Sequence, residues 1–150
     1  MVIYVLIHPI DYRYGTAEMK HVWSQKNRLN KLLQVEAALA RSEADMGLIP
    51  ADSAVIISES ISSVKAERVD EIEAEIHHDM MAVVTAISEQ CRDDAGKWVH
   101  FGATSNDILD TATALQIKDA IDLMEDKLKT FLGVLLDKAE AHKNTVCCGR

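Results

Sequence analysis

Runs of apolar residues at helical spacing organise the chain. Met19, Val22, Leu29, Leu33 and Ala40 recur at steps of three, four and seven, as on a helix face turned toward a core. Thr16 ahead of them is a suitable N-cap, and Gly47 and Pro50 behind them are stop signals, so the pattern predicts one helix from Thr16 to about Met46. Val69, Ile72, Ile76, Met80, Val83 and Ile87 form a second run. It predicts a helix from about Ala66 until Arg92-Asp93-Asp94-Ala95-Gly96 stops it. Between the two, Ala51 to Lys65 is ambiguous: short helical turns are expected around Ala54 to Ile57, with Ser58, Ser60, Ser62 and Ser63 as breaks.

The third pattern is the longest. Thr104, Ser105, Asn106 and Asp107 are four successive residues able to cap a helix start, and no proline follows them. One helix is predicted from about Asn106 to about His142, roughly 55 Å long at ~1.5 Å per residue. It carries two apolar faces in succession. Ile108, Ala112 and Leu115 share one side; Ala114, Ile117, Ile121, Met124, Leu128, Phe131 and Leu135 then repeat at steps of three and four on nearly the opposite side. Such a helix must change neighbours along its length, and the chain offers no second helix to match it. The missing partners are expected in another subunit or in sequence beyond these residues.

Composition supports an all-α fold: 150 residues include two prolines and six glycines, and strong helix formers are abundant. The formal charge of −8 argues against non-specific binding to nucleic acid or to an anionic membrane. No apolar run is long enough to span a bilayer. Met1 to Ile7 is apolar but lacks the features of a secretory signal and reads as an extended arm. Three cysteines, Cys91, Cys147 and Cys148, do not suggest a disulfide framework and favour a reducing, cytoplasmic setting.

Candidate chemistry clusters in three places. Ile10-Asp11-Tyr12-Arg13-Tyr14-Gly15 is a polar, aromatic turn. His77-His78-Asp79 is a titratable cluster; on a continuous helix at ~100° per residue, His78 points away from the stripe through Ile72, Ile76 and Val83. His100-Phe101-Gly102-Ala103-Thr104-Ser105 leads into the long helix, whose free N–H groups and hydroxyls suit an anion. Each also has an ordinary explanation as a surface loop, a solvated pair or a simple cap. Glu18-Met19-Lys20-His21 and Glu75-Ile76-His77-His78 fit the Glu-x-x-His spacing of di-iron bundles, but the second pair lies away from its own apolar side. His142, Cys147 and Cys148 lack a second ligand pair, so no metal site is expected.

Taken together, Ile10 to Gly15, Glu71 to Ala82 with His77-His78-Asp79, and His100 to Ala112 resemble, in order and spacing, the N-terminal part of the adenylosuccinate lyases. These belong to the fumarase and aspartase superfamily. The resemblance runs from His8 onward. It implies a homotetrameric, all-helical enzyme, with an N-terminal helical domain over residues 1–105 and the first long helix of a central bundle over residues 106–150. It also implies cleavage of adenylosuccinate to AMP and fumarate, and of the succinyl imidazole carboxamide nucleotide to its product and fumarate, without metal or organic cofactor. Arg13 and Tyr14 would contact the nucleotide, with Arg13 on its phosphate. His77, His78 and Asp79 would line the site, and His78 would touch substrate and support the catalytic acid. Thr104 and Ser105 would hold a succinyl carboxylate, and His100 would shape the loop behind them.

The family continues into Thr-His-Gly, whose histidine is the proposed general acid, where this chain stops at Cys148-Gly149-Arg150. The later loop with the serine base is missing as well. The expectation is therefore an N-terminal piece of a longer enzyme, with part of a substrate site and little activity alone. Argininosuccinate lyase or a cycloisomerase is the alternative within the superfamily. A non-catalytic helical oligomerisation module is the alternative outside it.

Overall fold

The computed structural model describes residues 13–149; the Met1–Ile7 arm and Ile10 to Tyr12 of the aromatic turn lie outside them. The described residues form helices and no strands. These are α1 (Ala17–Val22), α2 (Gln25–Asp45), α3 (Ala51–Ser60) with a 3-10 turn at Ile61–Ser63, α4 (Ala66–Ile76), α5 (Asp79–Gln90), a 3-10 turn at Ala95–Trp98, and α6 (Ser105–His142). Helix α2 packs on α3 and α6, α4 pairs with α5, and the Ala95–Trp98 turn sits against α3 and α5. Leu33, Ala40, Ile57, Met80, Ile87 and Ile108 meet in one core.

Two helices expected to be continuous are each broken by a residue that caps a new start. Thr16 caps as expected, accepting from the Met19 N–H at 3.3 Å. The helix then stops at Val22, because the Ser24 hydroxyl accepts from the Asn27 N–H at 3.2 Å and begins α2. The break frees the Val22 carbonyl. It is met by the buried amides of Asn27 at 2.9 Å and Gln116 at 2.8 Å, so the interruption becomes a fastening point for α6. The second break falls between α4 and α5, at His77 and His78.

The remaining ends follow from local chemistry. Gly47 takes φ +72° and ends α2 in a Schellman arrangement, with Leu48 N–H on the Glu43 carbonyl at 2.8 Å and Gly47 N–H on that of Ala44 at 2.9 Å. The ambiguous stretch resolves into the full helix α3. Ser58 and Ser60 do not break it; the Ser60 hydroxyl donates to the Gln90 carbonyl across to α5. Asp93 and Asp94, both left-handed, turn the chain after α5.

Gly96 is a close-approach position. A Cβ there would stand 3.0 Å from the Ser88 carbonyl oxygen and 3.1 Å from the Ser88 Cβ, neither of which can swing aside. Gly96→Ala is expected to cost about 1–3 kcal/mol as an overpacked contact, read from the urea midpoint. An unchanged midpoint would mean that the turn moves freely away from α5.

Helix α6 runs as predicted and divides in two. Ile108, Ala112, Gln116 and Ala120 are buried in its first half, and a Lys31–Asp119 ion pair at 2.6 Å ties it to α2. Beyond Ala120 its apolar residues are exposed apart from the half-buried Leu123. No helix among the described residues is long and apolar enough to cross a membrane.

Candidate functional site

The α4–α5 junction is a turn of two residues. His77 is left-handed (φ +53°) and closes α4 with its N–H on the Glu73 carbonyl at 2.8 Å. His78 is extended and caps α5 with its ring, Nδ1 accepting from the Met81 N–H at 3.2 Å. The outward placement of His78 thus comes from a turn rather than from one helix face, as a continuous helix would require. Because Nδ1 accepts, the neutral ring carries its proton on Nε2 and can donate it outward. Asp79 Oδ1 lies 3.8 Å from the same Nδ1 and accepts from the Met80 N–H at 2.7 Å. All three side chains are exposed.

The angle of this hairpin is braced at its far end. Arg68 on α4 donates to both carboxylate oxygens of Glu89 on α5, at 2.9 and 2.7 Å, and to Glu71 at 3.0 Å. These hydrogen bonds raise the Arg68 guanidinium above its ordinary value and lower Glu89 below the usual carboxylate range.

The start of α6 is built from a turn in which His100 (φ +62°) and Gly102 (φ +69°) are both left-handed. Thr104 is the N-cap. Its N–H donates to Asp107 Oδ2 at 2.9 Å, and its carbonyl accepts from the Asp107 N–H at 3.0 Å. Asp107 therefore already occupies part of the helix end. Of the first-turn N–H groups, those of Ser105 and Asn106 have no partner within the helix ladder.

Behind this loop lies a cluster absent from the sequence expectations. His100 Nδ1 stands 2.6 Å from Glu36 Oε1 on α2, and Glu36 is 1% exposed. Glu43, one heptad later, is 7% exposed. The Oε2 atoms of both glutamates are buried without a hydrogen-bond partner among the described residues. The signal was in the pattern: Leu29, Leu33, Glu36, Ala40 and Glu43 follow steps of four and three, so two carboxylates occupy the apolar stripe itself.

Burial raises the Glu43 carboxyl above the usual range, and the nearby His100 imidazole partly offsets this. A carboxyl raised in the folded state stabilises the fold below its unfolded value, and that contribution is lost as pH rises through the folded one. Glu43→Gln is therefore expected to raise the melting temperature near pH ~7 and to leave it unchanged near pH ~3.5, where both forms are neutral. Equal gains at both pH values would trace the effect to packing instead.

The expected site residues are only partly brought together. A cleft of about 910 Å³ is walled by Arg28 and Leu32 of α2, Asp79 and Met80 of α5, and Leu109 and Thr113 of α6, among others. The start of α5 and the second and third turns of α6 thus face one space. Of the expected residues only Asp79 lines it; His77, His78, Thr104, Ser105, Arg13 and Tyr14 are not among its described walls. Tyr14 is largely exposed. No group of three potential metal-ligating side chains gathers among the described residues.

Residues 11–150 match the family model described as Lyase. The chain is 56% identical over 146 residues to adenylosuccinate lyase of Methanocaldococcus jannaschii, covering 96% of this chain and 32% of that protein. It is 58% identical over 146 residues to adenylosuccinate lyase of Pyrococcus horikoshii, with the same coverage. Among solved structures, fumarate lyase from Mesorhizobium sp. BNC1 superposes with a TM-score of 0.82 at 31% identity, over 91% of this chain and 34% of that one. The chain spans about a third of the length of the relatives it matches.

Proposed function

We propose that this chain, which belongs to the lyase family matched by residues 11–150, is the N-terminal part of an adenylosuccinate lyase in purine nucleotide biosynthesis. The observation that carries the reading is the 56–58% identity to archaeal adenylosuccinate lyases over nearly the whole chain. The reaction is a β-elimination. A base removes the proton on the carbon beside a succinyl carboxylate, the bond from the neighbouring carbon to the purine nitrogen breaks, and that nitrogen is protonated as fumarate leaves. Negative charge grows on the carboxylate in the intermediate, so donors aimed at it contribute most.

On this reading the chain supplies binding and orientation. Thr104, Ser105 and the first-turn N–H groups of α6 hold a succinyl carboxylate at a helix N-terminus. His78 offers its Nε2 proton, supported by the Nδ1 bond to Met81 N–H that fixes the ring. His77 and Asp79 line the same edge, and Arg13 and Tyr14 approach the nucleotide, Arg13 toward its phosphate. Of the described residues, those up to 105 belong to the N-terminal helical domain, and those from 106 begin a long-helix bundle that joins four copies in a cytoplasmic enzyme. No cofactor is required by this chemistry.

The test is fumarate release from adenylosuccinate by the protein at its full encoded length, with and without His78→Ala. Turnover reduced at least a hundredfold in a protein that remains folded, its stability lowered by about 1 kcal/mol through the lost cap of α5, is the expected result, since positioned proton-transfer groups contribute ~10²–10⁴-fold. A wild-type protein silent on adenylosuccinate but active on another succinyl-bearing substrate would move the assignment elsewhere in the family.

A further inference from the structure

Glu36 is an expensive residue to keep where it is. It stands in the apolar stripe of α2, 1% exposed, with one carboxylate oxygen unpartnered among the described residues. A core selected only for stability favours an apolar side chain at such a position. Burial raises its carboxyl and the bond to His100 pulls it back; the 2.6 Å between Oε1 and Nδ1 is a hydrogen bond with one proton between the two atoms. What it holds is a loop with few other hydrogen bonds. Between the buried Val99 and the Thr104–Asp107 cap the chain passes through two left-handed residues, His100 and Gly102, and its backbone closes a long Ala103 N–H bond to the His100 carbonyl at 3.4 Å, while Phe101 meets the Trp98 ring edge-on and Ala103 rests against the core. Among the described residues, His100–Glu36 is the side-chain hydrogen bond that ties residues 99–103 to another helix. A left-handed backbone at a residue with a Cβ costs energy and persists only where its surroundings enforce it.

We propose that Glu36 is a positioning residue: its carboxylate, by holding His100 Nδ1, fixes the left-handed turn at His100 and thereby the place at which Thr104 and Ser105 open α6. The consequence for substrate rests on the lyase reading above; the structural link does not. Gly102 and Ala103 are two of the three residues between His100 and Thr104, so a ring that lets go frees the turn next to the helix start. Glu43 is close enough for its charge to act on both Glu36 and His100, yet it makes no bond to the loop, and serves as the control.

The test compares Glu36→Gln, Glu36→Leu, Glu43→Gln and His100→Gln in the ¹⁵N-labelled chain, the last assigning His100 among the six histidines. In the wild type and in Glu43→Gln, His100 is expected to show an Nδ1 proton far downfield and slow to exchange with water. Glu36→Gln keeps an acceptor oxygen, so the signal should persist but move upfield, as befits a neutral partner. Glu36→Leu should abolish it and shift or broaden the backbone amides of Gly102 to Ser105. Should the leucine variant not fold, His100→Gln must produce the same amide changes. A wild type without the protected proton, or amides of Gly102 to Ser105 unmoved in both variants, overturns the proposal.

In the full-length protein, Glu36→Leu should lower the rate of fumarate release from adenylosuccinate between tenfold and a hundredfold, the scale of a ~1 Å misplacement, with Glu36→Gln recovering most of it. Loss of stability in Glu36→Leu with a normal rate would reduce Glu36 to a structural residue and end the proposal. A wild type that shows the His100 proton but releases no fumarate would defeat the lyase reading and leave the positioning role standing.

Discussion

Replacing Ile57 with alanine will lower the unfolding free energy by about 3–5 kcal/mol, the upper range for a large-to-small change at a fully buried site. Ile57 is 0% exposed. It sits in the second half of α3, a helix that packs on α2, on α5 and on the Ala95–Trp98 turn, so the lost methyl groups face neighbours on several sides. No single one of them can move in without leaving another. Against a total of roughly 5–15 kcal/mol for a domain, the variant should be near the edge of folding. Val55 on the same helix is 54% exposed, and Val55→Ala should stay within about 0.5 kcal/mol of the parent. Urea unfolding of both variants decides the matter. A loss below ~1 kcal/mol at Ile57 would mean that the core closes around the gap.

The contrast between Ile57 and its surroundings shows what could be read in advance. The period of the apolar residues located α2, α5 and α6 and named much of the core, because burial on one helix face leaves a 3.6-residue imprint. What the period could not reveal is an interruption that preserves the phase. Val22 and Leu29 lie seven residues apart across the α1–α2 break, and Ile76 and Met80 four apart across the α4–α5 turn; both spacings fit an unbroken helix. Ser24 and His78 act as caps through side-chain bonds to Asn27 and Met81. Neither residue is distinctive until the backbone has turned.

The candidate site was legible to a similar depth. Motif order marked His77-His78-Asp79 and His100 to Asp107, and of these Asp79 alone lines the cleft between α2, α5 and α6. Glu36 and Glu43 escaped because the search for chemistry looked at clusters of polar residues. These two stand singly on the apolar stripe of α2, seven residues apart and more than fifty from His100. A charged residue on an otherwise apolar stripe is the more informative deviation.

Helix α6 carries the other large effect. From Ile117 its apolar residues advance in the order Ile121, Met124, Leu128, Phe131 and Leu135, steps of four and three in strict alternation. An average of 3.5 residues is the seam of a left-handed coiled coil. Leu128 is 61% exposed and Phe131 58%, on a helix that extends about 33 Å past Ala120 at ~1.5 Å per residue. All six seam residues are exposed among the described residues, and the ion pair from this half of the helix to another helix is Lys127 to Glu18 at 4.0 Å. Each such side chain gains roughly 1.5–3 kcal/mol on full burial, and six of them outweigh much of the ~4–15 kcal/mol entropic cost of association. The chain should therefore self-associate at micromolar concentration, and Leu128→Glu with Phe131→Glu should render it monomeric while leaving the circular dichroism of the packed helices unchanged. Sedimentation equilibrium separates the outcomes: a parent chain that stays monomeric at ~100 μM would show that the seam alone is too weak to hold two copies together.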